Sequence, residues 1–338
     1  MTMQTNSQNT FAAIGIREDL TDIVALIDPQ ETPLFSNIGT GPAAKQTKHE
    51  WQVQTLAAAV KTNAQLEGDD NVSAAAATAR TRLFNICTIS KKIGSVTGTM
   101  SSVVVAGISN ELDNQKMLKA VELRRDMEVM LADNVAYASG GTTTVRQAAG
   151  LGGYITNSDT TAQFGSNLYT AGSGTGATAW NLAATTSRAM NLTSLNGAVQ
   201  AAYISGGKPN LVLMSPKQKT AFSNLTLQSS LGGAAQIRYN MNAVKPGVLI
   251  GTVDTWLSNF SQLEVAVDVQ YASDSATTNG LDNTIHILDT RHAAVSYLRP
   301  MFTEDLAKTG DADKFEVIAE YTLQVDAPKA HAALFAVT

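Results

Sequence analysis

Residues 109–141, SNELDNQKMLKAVELRRDMEVMLADNVAYASGG, carry the strongest local signal in this chain. Ser109 is placed to cap a helix. Glu111 and Asp113 fall in its first turn, where the helix dipole favours negative charge, and Gly140-Gly141 closes the pattern. Leu123, Met127, Met130, Leu131 and Val135 form one apolar stripe, and Arg124 and Arg125 stand at helical pairing distance from Glu128. The pattern predicts a helix over 110–138, a rod of roughly 43 Å. The methionines in the stripe read as core packing, not as a cofactor pocket.

Upstream, KHEWQVQTL (48–56) alternates. His49, Trp51, Val53 and Thr55 point one way and Glu50, Gln52 and Gln54 the other, as in a half-exposed strand. RTRLFNICTISKKI (80–93) is a second extended run, and the stretch between them is small, polar and poor in anything to bury. The pair reads as a long two-stranded arm with a mobile tip, too thin to be stable unless it lies on a neighbouring surface. Near the start, REDLTDIVALIDPQETPLFSNI (17–38) holds a short amphipathic helix with Leu20, Ile23, Val24 and Ile27 on one face, closed by Asp28-Pro29.

Downstream, residues 139–187 are dominated by Gly, Thr, Ser and Ala. A helix is predicted around 194–205, ending at Gly206-Gly207. NLVLM (210–214) reads as a buried strand, and SPKQKTAFSNL as a helix with Ser215 at its cap and Pro216 at its first position. Strands are predicted at 248–253, 263–270 and 283–290, giving a mixed α/β unit over 188–290. In FEVIAEYTLQV (315–325) one face is apolar, and the other carries Glu316, Glu320, Thr322 and Gln324. HAALFAV (331–337) reads as a last strand.

The chain has 338 residues, enough for two domains or subdomains. Its charged fraction, 16%, is low against the roughly 25% usual for soluble domains, which suits a surface that is buried against other subunits. With 24 basic and 29 acidic residues it lacks the basic excess of a dedicated nucleic-acid reader. One cysteine, Cys87, allows no intrachain disulfide and reads as a small buried hydrophobe in a reducing compartment. The polar N-terminus is unlike a secretory signal, and no apolar run approaches the ~20 residues of a membrane span. The expectation is a soluble chain made in the cytoplasm.

Enzyme chemistry finds no foothold. AGSGTGA (171–177) places Gly172, Gly174 and Ala177 in a dinucleotide-like glycine pattern. It lacks the apolar strand before it and the acid after it that a cofactor site requires, so it reads as a loop. Residues 160–253 contain no Asp or Glu but include Arg188, Lys208, Lys217, Lys219, Arg238 and Lys245. That basic segment is expected to pair with acidic segments of neighbouring subunits, a mild attraction to phosphate being the other use open to it. His286, Asp289 and His292 are spaced like a metal motif, yet strand parity puts His286 and Asp289 on opposite faces. No catalytic, cofactor-binding or metal residue is assigned.

The order of parts resembles the major capsid protein of tailed bacteriophages, an α+β chain of the Hong Kong 97-type fold. The matching blocks are REDLTDIVALIDPQETPLFSNIG, QKMLKAVELRRDMEVMLADN, GGKPNLVLMSPKQKTAFSNL and LRPMFTEDLAKTGDADKFEVIAEYTLQVDAPKA. The resemblance implies an N-terminal arm at 1–46, an extended loop (E-loop) at 47–100 overlying a neighbour, and a peripheral domain at 101–187 with its spine helix. It further implies an axial domain at 188–290 and a return to the peripheral domain at 291–338. Arg299, Lys308 and Asp311 would lie in a loop near a three-fold meeting of capsomers. Lys61, Asn63 and Glu67 in the extended-loop tip cannot be matched to the crosslinking pattern of some relatives and read as solvated. The implied function is self-assembly, as hexamers and pentamers, into an icosahedral head shell around double-stranded DNA. A separate scaffold, a portal and decoration proteins would be partners, without sequence-specific DNA binding, a membrane or any cofactor. The alternative is a tail-tube or adhesin-like structural protein, and an α/β enzyme is a distant third.

Overall fold

The computed structural model describes residues 26, 28–64, 66–68, 77–157, 174–180, 189–227, 254–273 and 280–337. In chain order these form α1 (Pro33–Asn37), β1 (Lys48–Val53), β2 (Thr81–Ile86), β3 (Thr88–Thr97), α2 (Gly98–Ser102), α3 (Glu111–Ala132) and α4 (Leu151–Tyr154). Then follow α5 (Leu192–Ile204), β4 (Leu211–Met214), α6 (Pro216–Leu227), β5 (Thr255–Leu257), β6 (Gln262–Val267) and β7 (Ile285–Leu288). The chain closes with β8 (Ala293–Leu306), β9 (Ala312–Val325) and β10 (Ala332–Leu334). All but Leu26 of the expected amphipathic helix at 20–27, the strand at 248–253, and residues 158–173 and 181–187 of the Gly/Thr-rich loop lie outside the described residues.

β9 is the centre of a three-stranded antiparallel sheet ordered β3-β9-β8. It pairs with β3 from Thr88↔Tyr321 to Thr97↔Ala312, and with β8 from Ala293↔Val325 to Leu306↔Lys314. The sequence predicts an apolar face and a polar face. Phe315, Val317, Ala319 and Tyr321 are buried as expected, but Glu320, Thr322 and Gln324 are buried too. The polar face is covered by the base of the β1-β2 hairpin and by the N-terminal segment. The Thr322 hydroxyl donates to the Ile86 carbonyl at 3.0 Å, and Trp51 Nε1–H donates to the Val325 carbonyl at 2.9 Å. β8 is irregular between Tyr297 and Phe302, around Pro300, which has no N–H to give to a ladder.

The predicted extended run at 80–93 divides at Cys87. β2 pairs with β1 as a six-residue hairpin, Lys48↔Ile86 to Val53↔Thr81, while β3 crosses to the other sheet. Buried Asn85 fixes the junction, because its side chain donates to the Ala149 and Leu323 carbonyls and accepts from the Ala149 amide. The ordered base of the arm is therefore shorter than the sequence suggests.

α3 buries Leu123, Met127 and Leu131, as the stripe predicts. Asn110 caps it in place of Ser109, its side chain accepting from the Leu112 amide at 3.0 Å. It ends at Ala132, so the rod is 22 residues, roughly 33 Å, and not the predicted 110–138. The reason is long-range. Asn134 exchanges two hydrogen bonds with the Trp180 backbone, both at 2.9 Å. The Asp133 and Val135 carbonyls accept from the Gly152 and Gly150 amides, and Ala138 and Gln147 exchange backbone bonds. These groups are committed outside a helix, and Gly140 turns the chain at φ +75°.

The second sheet has five strands, β10-β7-β4-β6-β5, with β4 parallel to β6 and the other neighbours antiparallel. α5 packs against it through Leu195, Ala198, Val199 and Ala202, as α6 does through Phe222. α5 is capped by Asn191 and ends where Gly206 takes φ +92°. The sequence assigns the last strand to the segment that returns after 291. Instead β10 closes the sheet of the 188–290 segment, pairing Ala332–Leu334 with Ile285–Ile287.

The exit of α3 gives a stability prediction. A methyl group on Gly150 would collide with the backbone carbonyl of Asp133, which cannot swing away. Gly150→Ala should therefore destabilise the fold by about 1–3 kcal/mol, read as a lowered midpoint in urea unfolding.

Candidate functional surfaces

Three segments project from the two sheets, and the side chains at their roots decide how each is held. The N-terminal segment is strapped over α3 and β8. Its backbone continues the β8 edge: the Val295 amide donates to Gly39, the Gly41 amide to Val295 and the Ala44 amide to Tyr297, at 3.1, 2.9 and 2.9 Å. Leu34 is buried, and Phe35 lies under the guanidinium of Arg124 at 5.0 Å. Gln270 donates its side-chain amide to the Pro29 carbonyl at 3.2 Å and accepts from Arg125 Nε at 3.0 Å.

Glu128 receives this strap. Its carboxyl oxygens accept the amides of Leu34 and Phe35 at 2.6 and 2.8 Å, and the side chain is fully buried. The expected pairing with Arg124 or Arg125 does not form among the described residues, because Glu128 turns inward to α1 and both arginines are engaged elsewhere. Sequence reasoning passed over Asp268 and Gln270. Their one local sign is that Asp268, directly after β6, accepts the amide of Gln270 two residues on, at 2.8 Å, as turn-forming aspartates do.

The second projection is the continuation of the β1-β2 hairpin. Residues 54–64, 66–68 and 77–80 have no regular strand or helix. Leu56, Val60 and Leu66 are 96%, 66% and 81% exposed. Lys61, Asn63 and Glu67 are exposed on the same stretch. The base of the hairpin, by contrast, is fixed by Trp51, Leu83 and Asn85.

The third is the β8-β9 ribbon. Lys308 and Asp311 occupy its tip as expected, with Lys308 paired to Asp313 at 2.6 Å and the Asp311 carbonyl accepting from the Gly98 amide. Arg299 is not in that loop. It sits in the irregular part of β8 and pairs with buried Glu320 at 2.6 Å.

The remaining sequence candidates are accounted for inside the chain. Gly172 lies outside the described residues, but Gly174 and Gly176 adopt φ +68° and +77° in bends, with Gly176 hydrogen-bonded to Tyr137 and Gly153. Gly176 packs against Tyr154, and the described residues 174–180 form bends and irregular backbone. The acid-free segment is also answered locally: Lys219 pairs with Asp254 at 3.2 Å, and Lys217 reaches Asp282 at 3.8 Å and Asn283 at 2.7 Å. For these two lysines, acids lie on the same chain beyond the segment; Arg188, Arg238 and Lys245 lie outside the described residues.

His286, Asp289 and His292 do not converge, and no metal-holding cluster occurs among the described residues. His286 Nδ1 bonds the Tyr271 hydroxyl at 2.8 Å. The Asp289 carboxylate takes Arg291 Nε at 2.8 Å and the Lys208 amide at 2.9 Å. Burial alone would raise the Asp289 pKa, but these donors hold it down at about 2. Stability from Asp289 is therefore present above pH 4 and lost as the pH falls through 2. Asp289→Asn should be less stable than the parent by on the order of 1–2 kcal/mol above pH 4, with the gap in urea midpoints closing by pH 2.

Comparison with known proteins places these features. A profile of the SU10 major capsid protein family matches residues 2–338, and no curated protein sequence is similar at a significant level. The chain superimposes on the capsid asymmetric unit of cyanophage A-1(L) with a TM-score of 0.64 at 12% identity, covering 96% of this chain and 97% of that one. It matches the capsid of a native GTA particle (TM-score 0.56, 11% identity, 100% of both chains). The capsid of myovirid phage XM1 is also similar (0.55, 10%, 94% and 96%). At these identities the likeness establishes the fold, which is the α+β arrangement of Hong Kong 97-type capsid subunits. The family match over nearly the whole length establishes the rest: this chain belongs to the SU10 major capsid protein family and is a shell-forming subunit of the virion.

Proposed function

We propose that copies of this chain assemble as pentamers and hexamers into an icosahedral head shell around double-stranded DNA. In this reading residues 1–46 are the N-terminal arm and 47–100 the extended loop that lies across a neighbouring copy. Residues 101–187 and 291–338 form the peripheral domain and 188–290 the axial domain, with β10 returning to the latter. Assembly takes place in the host cytoplasm with a separate scaffold, a portal and decoration proteins. The DNA is enclosed without being read, in keeping with a net charge of −5.

One observation supports this reading: Leu56, Val60 and Leu66 stand exposed, and no surface among the described residues covers them. Burying each against a sister copy is worth roughly 1.5–3 kcal/mol. Repeated around a closed shell, such modest contacts sum to a stable container without any single tight interface.

Electron microscopy of the purified chain should show closed polyhedral particles. The triple variant Leu56→Ser, Val60→Ser, Leu66→Ser should keep the parent far-UV circular dichroism and remain as isolated subunits or small capsomers. Normal shells from that variant would remove the extended loop from the assembly contacts. Tubes or fibres from the parent would favour the tail-tube alternative.

A further inference from the structure

We propose that Glu128 and Asp268 share one proton, and that this proton fastens residues 29–38 to the long helix, making anchorage of the N-terminal segment dependent on pH. The two side chains come from α3 and from the turn after β6, and both are fully buried. Glu128 spends one oxygen on each of the Leu34 and Phe35 amides. Asp268 Oδ1 accepts the Gln270 amide at 2.8 Å. Among the described residues its Oδ2 has no amide, hydroxyl or cation to accept from, and the carboxyl that meets the Asp268 side chain is that of Glu128.

Two adjacent carboxylates in a dry interior cannot both remain ionised. With the proton on Glu128, its O–H donates to Asp268 Oδ2, the orphaned acceptor is satisfied, and the Glu128 oxygens still accept the two amides. One bond network then joins the N-terminal segment, α3 and the turn after β6.

The surroundings supply no substitute for the proton. On α3, Arg124 covers the Phe35 ring and Arg125 turns to Gln270. On the N-terminal segment, Glu31 presents its carbonyl to Gln270. Tyr271, on the turn, and His286 behind it on β7 bond each other. Burial drives the Tyr271 hydroxyl up and the His286 imidazole down to about 3, so neither changes charge between pH 5 and 9.

Burial, reinforced by the Asp268 charge, pushes Glu128 up to about 8 from 4.5. Asp268 is raised by burial too, but its amide donors oppose the shift. The sign follows from linkage. Between pH 4.5 and 8 the docked pair keeps a proton that the detached pair releases, so docking weakens as the pH rises through that window and levels off above it.

The test is amide hydrogen exchange at Leu34 and Phe35 in the full-length chain from pH 5.5 to 9.5, corrected for the intrinsic rate. Protection should fall about tenfold per pH unit up to pH 8 and then flatten. Glu128→Gln, whose amide nitrogen donates permanently to Asp268 but no longer accepts one of the two backbone amides, should give protection that is lower than the parent's at pH 5.5 and constant with pH. Asp268→Asn removes the neighbouring charge but not the burial of Glu128, so the slope should end at a lower pH than in the parent. Constant protection in the parent chain, or a parental slope in Glu128→Gln, would overturn the proposal. The parent profile decides it alone if either variant fails to fold.

Discussion

A strand covered on both faces must find a partner for every polar side chain it carries, and β9 is such a strand. Its apolar side chains face α3 and its polar ones face outward, where a solvated sheet would leave them wet. Here they are buried, and the molecule answers each with a group from a different part of the chain. Glu320 takes Arg299 from β8, and Thr322 takes the end of β2. Gln324 meets His49 of β1 at 3.0 Å, Ser296 of β8 at 3.2 Å and Asp326 at 2.7 Å. Leaving any of these buried groups unpaired costs about 1–3 kcal/mol. The pieces that project furthest from the body are thus keyed at their roots to one strand.

Local periodicity made much of this legible. The stripe Leu123, Met127, Leu131 sits where 3.6-residue spacing places it, and α5, β4, α6 and β7 lie where caps and apolar runs put them. What escaped was set by contacts distant in sequence. Nothing between residues 130 and 140 announces that Asn134 will bond Trp180, so the helix is overextended. An unbroken extended run at 80–93 hides that Cys87 is where the chain changes sheets. Glu128 was read by the rules of an isolated helix, in which arginines three and four residues away are its neighbours. The N-terminal segment that claims it lies more than ninety residues upstream.

The surface proposed for assembly was legible in a different way, by what it lacks. A stretch of small polar residues holding Leu56, Val60 and Leu66 has no internal reason to be apolar at those points, and the fold gives it none. The basic segment shows the limit of reading charge along the sequence alone. Two of its six basic residues, Lys219 and Lys217, meet Asp254, one residue beyond its end, and Asp282.

Cys87 adds a practical consequence. It stands at the handover from β2 to β3, fully buried, with its thiol pushed up to about 11 by burial. At neutral pH only about one molecule in ten thousand carries the thiolate that alkylating reagents attack. Reaction requires the hairpin to lift away from Gln46, whose carbonyl the sulfur faces at 3.6 Å. The chain's single sulfhydryl thus works as an intrinsic stopwatch, its labelling rate counting how often the root of the β1-β2 hairpin breathes, in a free subunit or in a finished particle.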